Sequence, residues 1–179
     1  MLVDLAALSG LAMESTVRGP AWRFLDLGRR IERALAVVGA VEAALGSAVA
    51  PLALQPIAEA VLGANESLVA YRRSYRSEVD FDAMIDLLLR DDTNPRSLAY
   101  QLDRLREHVA GLGWSDGVEL VQAASVESLA VVDDTEVNGR RVSLDSYVLA
   151  VRAPLLQLAE AIVRRWFADP VNPTIVRGQ

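Results

Sequence analysis

The sequence has 179 residues, of which 52% are hydrophobic and 6% aromatic, and its formal net charge is −6. This length suits one domain with a substantial core, and the low aromatic content favours helices over sheets. All basic residues are arginine and there is no cysteine, which excludes lysine Schiff bases, thiol nucleophiles, disulfides and thiolate metal sites. The acidic balance argues against nucleic-acid binding.

The first two predicted helices lie on either side of Gly19. Residues 2–15 place leucines at helical spacing and predict a short amphipathic helix. Pro20 suits the first position of the next helix, and Gly46 suits the position just after its end. The N-terminus lacks a basic segment and no apolar run approaches the length of a membrane span. We therefore expect neither a signal peptide nor a membrane contact, and a bacterial-type cytoplasmic location.

Three helices are predicted in the middle of the chain. The apolar spacing after Pro56 predicts one helix that ends near the sequence YRRSYRS, and a shorter helix covers about Phe81 to Leu89. The next helix has Asn94 as its N-cap, Pro95 as its first residue and Gly111 as its terminator.

Two more helices are predicted in the last third, separated by a turn. One covers about Asp116 to Val131, and the other begins after Ser143 and ends at about Phe167. Pro154 either kinks the last helix or begins a new one. The sequence VVDDTEVNGRRVSL is also compatible with a small hairpin. The pattern predicts an all-α bundle of about six to seven helices in a single domain, residues 1–179.

The most highly charged helical stretch is WRFLDLGRRIERAL, residues 22–35. Relative to its apolar stripe, Asp26, Arg29 and Arg33 lie on the opposite face, Arg23 and Arg30 on one border, and Gly28 and Glu32 on the other. Asp26 can pair with Arg29 or Arg30 within the helix. Glycine in mid-helix costs about 1 kcal/mol relative to alanine, so Gly28 predicts a closely packed neighbour beside Glu32.

A second unusual stretch is DDTNPRS, residues 91–97. Arg96 is expected in the first turn of a helix, where the helix dipole disfavours a cation. Asp91 and Asp92 can neutralise it locally, which leaves both stretches as ordinary solvated or salt-bridged surface. Alternatively, these acids pair with the surplus arginines of residues 22–35 in one buried network. Such a network would also suit an anion such as phosphate or carboxylate.

The two stretches together resemble the alpha-E family, a bacterial helical domain of unknown function named for its Glu-Arg motif. The resemblance rests on MESTVRGPAWRFLDLGRRIERAL and LLLRDDTNPRSLAYQLDRLREH. The matching positions are Arg18, Trp22, Arg23, Asp26, Gly28, Arg29, Glu32, Arg33, Asp91, Thr93, Asn94, Pro95, Arg96 and Ser97. Family members usually begin with another helix that carries Gly-Arg-Tyr-x-Glu-Arg. No such segment precedes residue 22 here, so the chain is expected to be the C-terminal portion of such a domain.

The resemblance implies an accessory role, because these domains are often encoded beside or fused to a circularly permuted ATP-grasp domain and a transglutaminase-like protease. We expect action in peptide synthesis or modification with an ATP-grasp partner, in cis or trans, and no catalytic activity of its own. One alternative is a ligand-binding or enzymatic domain for an anionic or peptide substrate. A second is a structural module that forms a homodimer.

The candidate polar network comprises Arg18, Arg23, Asp26, Arg29, Glu32, Arg33, Asp91, Asp92, Asn94 and Arg96. No metal-binding spacing is present, so neither a metal nor a cofactor is predicted. His108, the only histidine, is expected to cap a helix end rather than act as a base. Tyr71 and Tyr75 are expected to stack at the edge of the core beside solvated arginines.

Overall fold

Seven α-helices make up most of the part of the chain that the structure, a computed structural model, describes: residues 7, 10–11, 15–45, 53–76, 78–125, 136–137 and 140–168. They are α1 (Pro20–Leu45), α2 (Leu54–Ala64), α3 (Leu68–Tyr75), α4 (Phe81–Ile85), α5 (Leu98–Gly111), α6 (Ser115–Ala123) and α7 (Val142–Ile162). Turns of π-helix extend α4 over Asp86–Arg90 and α7 over Val163–Phe167. The predicted all-α class is confirmed.

The long helix α1 organises the bundle because α2, α5 and α7 all pack against it. Its buried face follows helical spacing, with Leu27, Ile31, Ala34, Val38 and Val41 all buried. Helix α6 packs against both α5 and α7, and α2 packs against α4. The core therefore lies along α1, and the ends of the shorter helices meet at its sides.

A break between α2 and α3 divides what the sequence predicted as one helix, so that prediction is wrong. Asn65 donates from Nδ2 to the carbonyl oxygen of Val61 at 2.8 Å, and the Ser67 hydroxyl donates to the carbonyl of Asn65 at 3.1 Å. Glu66 has a φ of 52°. Polar side chains that bond to nearby backbone offer the chain an alternative to continued helix.

Helix α5 begins three residues later than the sequence predicted. Its N-cap is Ser97, whose hydroxyl accepts a hydrogen bond from the backbone N–H of Tyr100 at 3.1 Å. Asn94 instead accepts from the backbone N–H of Arg96 at 3.1 Å and so closes a tight turn. Arg96 therefore precedes the helix, and the expectation that it lies in the first helical turn is wrong.

The C-terminal part settles two alternatives that the sequence left open. Helix α7 continues through Pro154, so no new helix begins there. Strands Glu136–Val137 and Arg140–Arg141 pair antiparallel, which agrees with the small hairpin. Most of the predicted helix over residues 2–15 lies outside the described residues, although Ala7 and Leu11 are helical. The sixth helix was predicted to reach Val131, but α6 ends at Ala123, so that predicted length is wrong; Val131 itself lies outside the described residues.

One helical segment, Leu144–Phe167, is long and apolar enough to cross a membrane by length and composition alone, with a mean hydropathy of 1.4. The sequence expectation that no run approaches this length therefore needs correction. One face of this segment packs on α1 and α6, and Arg152 and Glu160 stand in its middle. A helix of a soluble bundle can pass the same test of length and composition, and only 28% of this apolar stretch is buried inside the protein. The cytoplasmic location stays a prediction.

Candidate anion-binding cleft

A buried ionic cluster joins α1 to α5 at the side of the bundle. Asp26 is only 2% exposed, although the helical wheel placed it opposite the core. Its Oδ2 lies 2.7 Å from Nε2 of His108 and 3.1 Å from Nε of Arg30. His108 is buried as well and stands in the last turn of α5, as expected, but its Nε2 contacts Asp26 of α1 rather than capping the end of its own helix. Packing of α5 against α1 extends burial beyond the apolar stripe and encloses the carboxylate.

Further contacts connect this cluster to the segment before α5. Nη1 of Arg30 donates to Oε1 of Gln101 at 3.3 Å, and Nε2 of Gln101 donates to the carbonyl oxygen of Pro95 at 2.7 Å. The ring of Trp22 packs edge-on against His108, with centroids 5.2 Å apart. Burial by itself raises the pKa of Asp26. The hydrogen bonds and positive charges of His108 and Arg30 outweigh it and lower that pKa below its usual value of 3.8.

Beside this cluster opens a cleft of about 630 Å³. Helix α1 forms one wall, and the junction between α2 and α3 and the segment before α5 form the others. The charged residues that line it are Asp26, Arg29, Arg30, Glu32, Arg33, Glu66 and Arg96. Arginines outnumber carboxylates in this set, so the cleft carries a positive surplus.

Arg33 experiences this surplus most strongly because it is half-buried among other arginines. Burial, followed by the positive charges of Arg96 and Arg30, lowers the pKa of Arg33, and Glu66 opposes this effect. An arginine nevertheless stays protonated at neutral pH. Glu66 is already engaged in an ion pair with Arg96, and Asp26 in one with Arg30. The cleft therefore holds a partly desolvated cation whose nearest charges are mainly of like sign.

Glu66 reaches Arg96 from an unusual backbone conformation. Its φ of 52° lies in the left-handed region, which costs a non-glycine residue on the order of 1 kcal/mol. Strained residues of this kind collect at functional sites. Here the strain lies at the mouth of the cleft, where it brings an acid to a wall that is otherwise rich in arginine.

Comparison with known proteins identifies the family. A family model for Alpha-E, described as a predicted alpha-helical domain with a conserved ER motif, matches residues 1–167. The chain belongs to the Alpha-E family. Uncharacterized proteins of Mycobacterium bovis and of two strains of Mycobacterium tuberculosis are 33% identical over 177 aligned positions, and the alignment covers 94% of this chain and 20% of each relative. The chain thus spans about a fifth of the length of these relatives. No solved structure matches.

The Alpha-E motif can be placed within the cleft. Glu32-Arg33 is the only Glu-Arg dipeptide in the sequence, and both residues line the cleft. Glu32 is exposed at the rim, whereas Arg33 is half-buried. The structure therefore brings together four of the sequence-predicted arginines and acids of α1, namely Asp26, Arg29, Glu32 and Arg33, with Arg96.

The acids of DDTNPRS do not join them. Asp91 accepts hydrogen bonds from the backbone N–H and the hydroxyl of Thr93, at 2.9 and 2.6 Å, and Asp92 is exposed. Neither lines the cleft, so the predicted pairing of these acids with the arginines of α1 is wrong. Glu66 supplies the acid instead. Asn94 is buried and donates to the carbonyl oxygen of Leu87 at 3.1 Å, which is a structural role.

Two other arginines of the predicted network lie away from the cleft. The guanidinium carbon of Arg18 sits 4.3 Å from the centre of the Trp22 ring, in a cation–π contact. The guanidinium of Arg23 contacts Gly111 at the C-terminal end of α5, where the helix dipole favours a cation. The contact of Arg23 joins α1 to α5, whereas the contact of Arg18 with Trp22 lies within the start of α1.

The expected neighbour of Gly28 is not found among the described residues. A Cβ built at this position would meet no heavy atom within 4 Å, so the prediction of close packing there is wrong. The sequence reasoning also passed over Glu66 and His108 as network members. His108 carried a usable signal, since the only imidazole of the chain stands beside Val109 and three residues after Leu105, on the predicted apolar side of its helix. Glu66 carried none, because its position depends on the break between α2 and α3.

Proposed function

We propose that this Alpha-E domain is a binding module that holds an anionic group of a peptide-type substrate in the arginine-lined cleft. The observation that carries this proposal is the half-buried position of Arg33 among Arg29, Arg30 and Arg96. Like charges that are partly removed from water repel one another, and a bound carboxylate or phosphate would offset that repulsion. The planar guanidinium also suits two-point recognition of either group.

The proposed setting is a peptide-synthesis or peptide-modification system. In it, an ATP-grasp protein or domain and a transglutaminase-like protease perform the chemistry, while this domain acts as an accessory. The chain belongs to the Alpha-E family, and the proposed setting rests on the neighbouring genes and fused domains that the resemblance to this family implies. The polar residues that face the cleft serve for binding and orientation of the substrate in this scheme.

A ligand titration with the full chain tests the binding proposal. We expect inorganic phosphate, or a short peptide that ends in glutamate, to raise the melting temperature in a saturable manner, because a ligand that binds only the folded state stabilises it. Whichever of the two binds at lower concentration identifies the group that is recognised. Higher ionic strength should weaken the binding, since the attraction is electrostatic.

Arg33→Ala is the decisive variant. We expect a loss of at least tenfold in affinity, while the stability without ligand is unchanged or rises, because a repelled cation is removed. Arg72→Ala, which removes an exposed arginine of α3, is the matched control and should bind as the wild type does. Equal binding by Arg33→Ala and wild type, or no saturable shift with either ligand up to about 10 mM, rules the proposal out.

A further inference from the structure

The outer face of α7 carries a row of exposed apolar side chains. Leu149, Leu156 and Val163 are 53%, 45% and 55% exposed, and Phe167 continues the row at 59%. The first three stand at intervals of seven residues, or about two helical turns, so they align on one face. The opposite face of the helix is buried in the core through Val148, Val151, Leu155 and Leu158.

Two opposite charges flank the centre of this row. Arg152 lies four residues before Leu156 and Glu160 lies four residues after it, so each is about 6 Å from Leu156 along the helix axis. At 100° per residue they fall on opposite borders of the apolar row, each about 40° from Leu156. Arg152 remains 47% exposed at its side chain while it pairs with Glu42 of α1, and Glu160 is exposed.

We propose that a second copy of this chain docks on this face, with its α7 antiparallel and the two-fold axis at Leu156. In that register each Leu149 faces the Val163 of the other copy, and the two Leu156 side chains meet at the axis. Each Arg152 then lies level with the Glu160 of the other copy. A two-fold interface uses the same patch on both subunits. In this register apolar residues of one copy face apolar residues of the other, and each arginine lies level with a glutamate.

Two other arrangements are less well matched to the same residues. In a parallel pair, Arg152 would lie level with Arg152 and Glu160 with Glu160, which places like charges together. Insertion in a lipid bilayer would bury both charges near the middle of the segment, at about 2.5 to 3.5 kcal/mol for an arginine or acid at the centre of a membrane helix. The antiparallel copy is the arrangement in which each charge finds an opposite one.

Sedimentation equilibrium of the full chain tests this proposal. We expect a dimer with a dissociation constant on the order of 10 μM, since a single helix face gives a small interface. Leu156→Glu, which places two acids at the axis, should weaken the dimer at least tenfold without loss of helix content by circular dichroism. Val69→Glu is the matched control, because Val69 is an exposed residue of α3, and it should dimerise as the wild type does.

Charge reversal tests the register. Glu160→Arg alone should weaken the dimer because it faces Arg152, and Arg152→Glu alone should weaken it because it faces Glu160. An equimolar mixture of the two variants should form a heterodimer of wild-type strength, since every pair across the interface is then opposite in sign. Arg152→Glu also removes the ion pair with Glu42 within its own chain, and the mixture does not restore that pair. Recovery of the dimer in the mixture therefore reports on the contacts between the two copies.

Three results would overturn the proposal. One is a monomer up to about 300 μM wild-type protein, well above the expected dissociation constant. The second is a dimer that Leu156→Glu leaves intact, or that the mixture fails to restore. The third is flotation of the monomer with vesicles of phosphatidylcholine and phosphatidylglycerol that Leu156→Glu abolishes, which would assign the face to a membrane.

Discussion

Asp26 is the residue on which the junction of α1 and α5 depends. Removing a carboxylate from water costs several kcal/mol, and only close opposite charges compensate. Arg30 provides an opposite charge from within α1, and Nε2 of His108 contacts the same carboxylate oxygen from α5. The carboxylate therefore stabilises the fold only when it is ionised and both partners are in place.

We expect Asp26→Asn to lower the free energy of unfolding by about 3 kcal/mol at pH 7, because it leaves Arg30 and His108 without their shared charge. The lowered pKa of Asp26 fixes the pH dependence. Its contribution is complete above the usual value of 3.8 and is lost as the pH falls from there through the lower value of the folded state. Urea unfolding at pH 7 and at pH 3 measures both quantities.

The difference in free energy of unfolding between wild type and Asp26→Asn should therefore be smaller at pH 3 than at pH 7. Asp92→Asn makes the same exchange at an exposed position, and its free energy of unfolding should stay close to that of the wild type at both pH values. If the difference for Asp26→Asn is the same at both pH values, the ionised carboxylate is not the source of the stability.

Part of this cluster could be predicted from the sequence. Asp26 and Arg30 are four residues apart in a helix, and their pairing was among the expected ones. The burial of Asp26 could not be predicted, because a helical wheel shows which residues share a face without showing where a neighbouring helix lies. The contact with His108 joins residues 82 positions apart, and no local pattern encodes it.

At the scale of the helices, two glycines with different surroundings give opposite expectations. Gly28 in α1 has open space where a side chain would go, whereas a Cβ at Gly117 in α6 would overlap the buried ring of Trp114. Gly28→Ala should stabilise the protein by about 1 kcal/mol, the difference in helix propensity. Gly117→Ala should destabilise it by about 1 to 3 kcal/mol through overpacking.

Chemical denaturation monitored by circular dichroism measures both effects. Each variant is the control for the other, because both replace a helical glycine by alanine. Destabilisation by Gly28→Ala would show that a neighbour does pack there, as the sequence first indicated. The stabilised variant should also retain anion binding, since Gly28 does not line the cleft.

The helix boundaries show which signals act locally. As predicted, Pro20 begins α1 and Gly111 ends α5. The missing N–H of proline and the missing side chain of glycine both act within one helical turn. The start of α5 was misplaced because Asn94 and Ser97 are both good caps, and burial of the Asn94 side chain against Leu87 decides between them. Competition of this kind is resolved by tertiary packing.

At the scale of the whole molecule, the cleft exists because three distant stretches converge. Its walls come from α1, from the junction near Glu66 and from the segment around Arg96. The sequence identified two of these stretches by their surplus charge and their resemblance to Alpha-E motifs. It could not identify the third, since an ordinary Glu in a predicted helix gives no sign of the break that turns it toward Arg96.

The convergence on α1 implies that the predicted single domain unfolds as one unit. The chain has three tryptophans: Trp22 lies in α1, Trp114 immediately precedes α6, and Trp166 lies in the π-helical turn after α7. Trp22 packs on His108 of α5, and the ring of Trp114 packs edge-on against that of Trp166 with centroids 4.9 Å apart. Tryptophan fluorescence therefore reports on that side of the bundle, whereas far-ultraviolet circular dichroism also reports on α2, α3 and α4. Since α2 packs on α1 as well as on α4, we expect the two signals to give the same midpoint in urea.

Two separate midpoints would divide the chain into independent units, with α2 to α4 as the second one. In that case the cleft, which needs Glu66 from one side and Arg33 from the other, would lose its shape at the first transition.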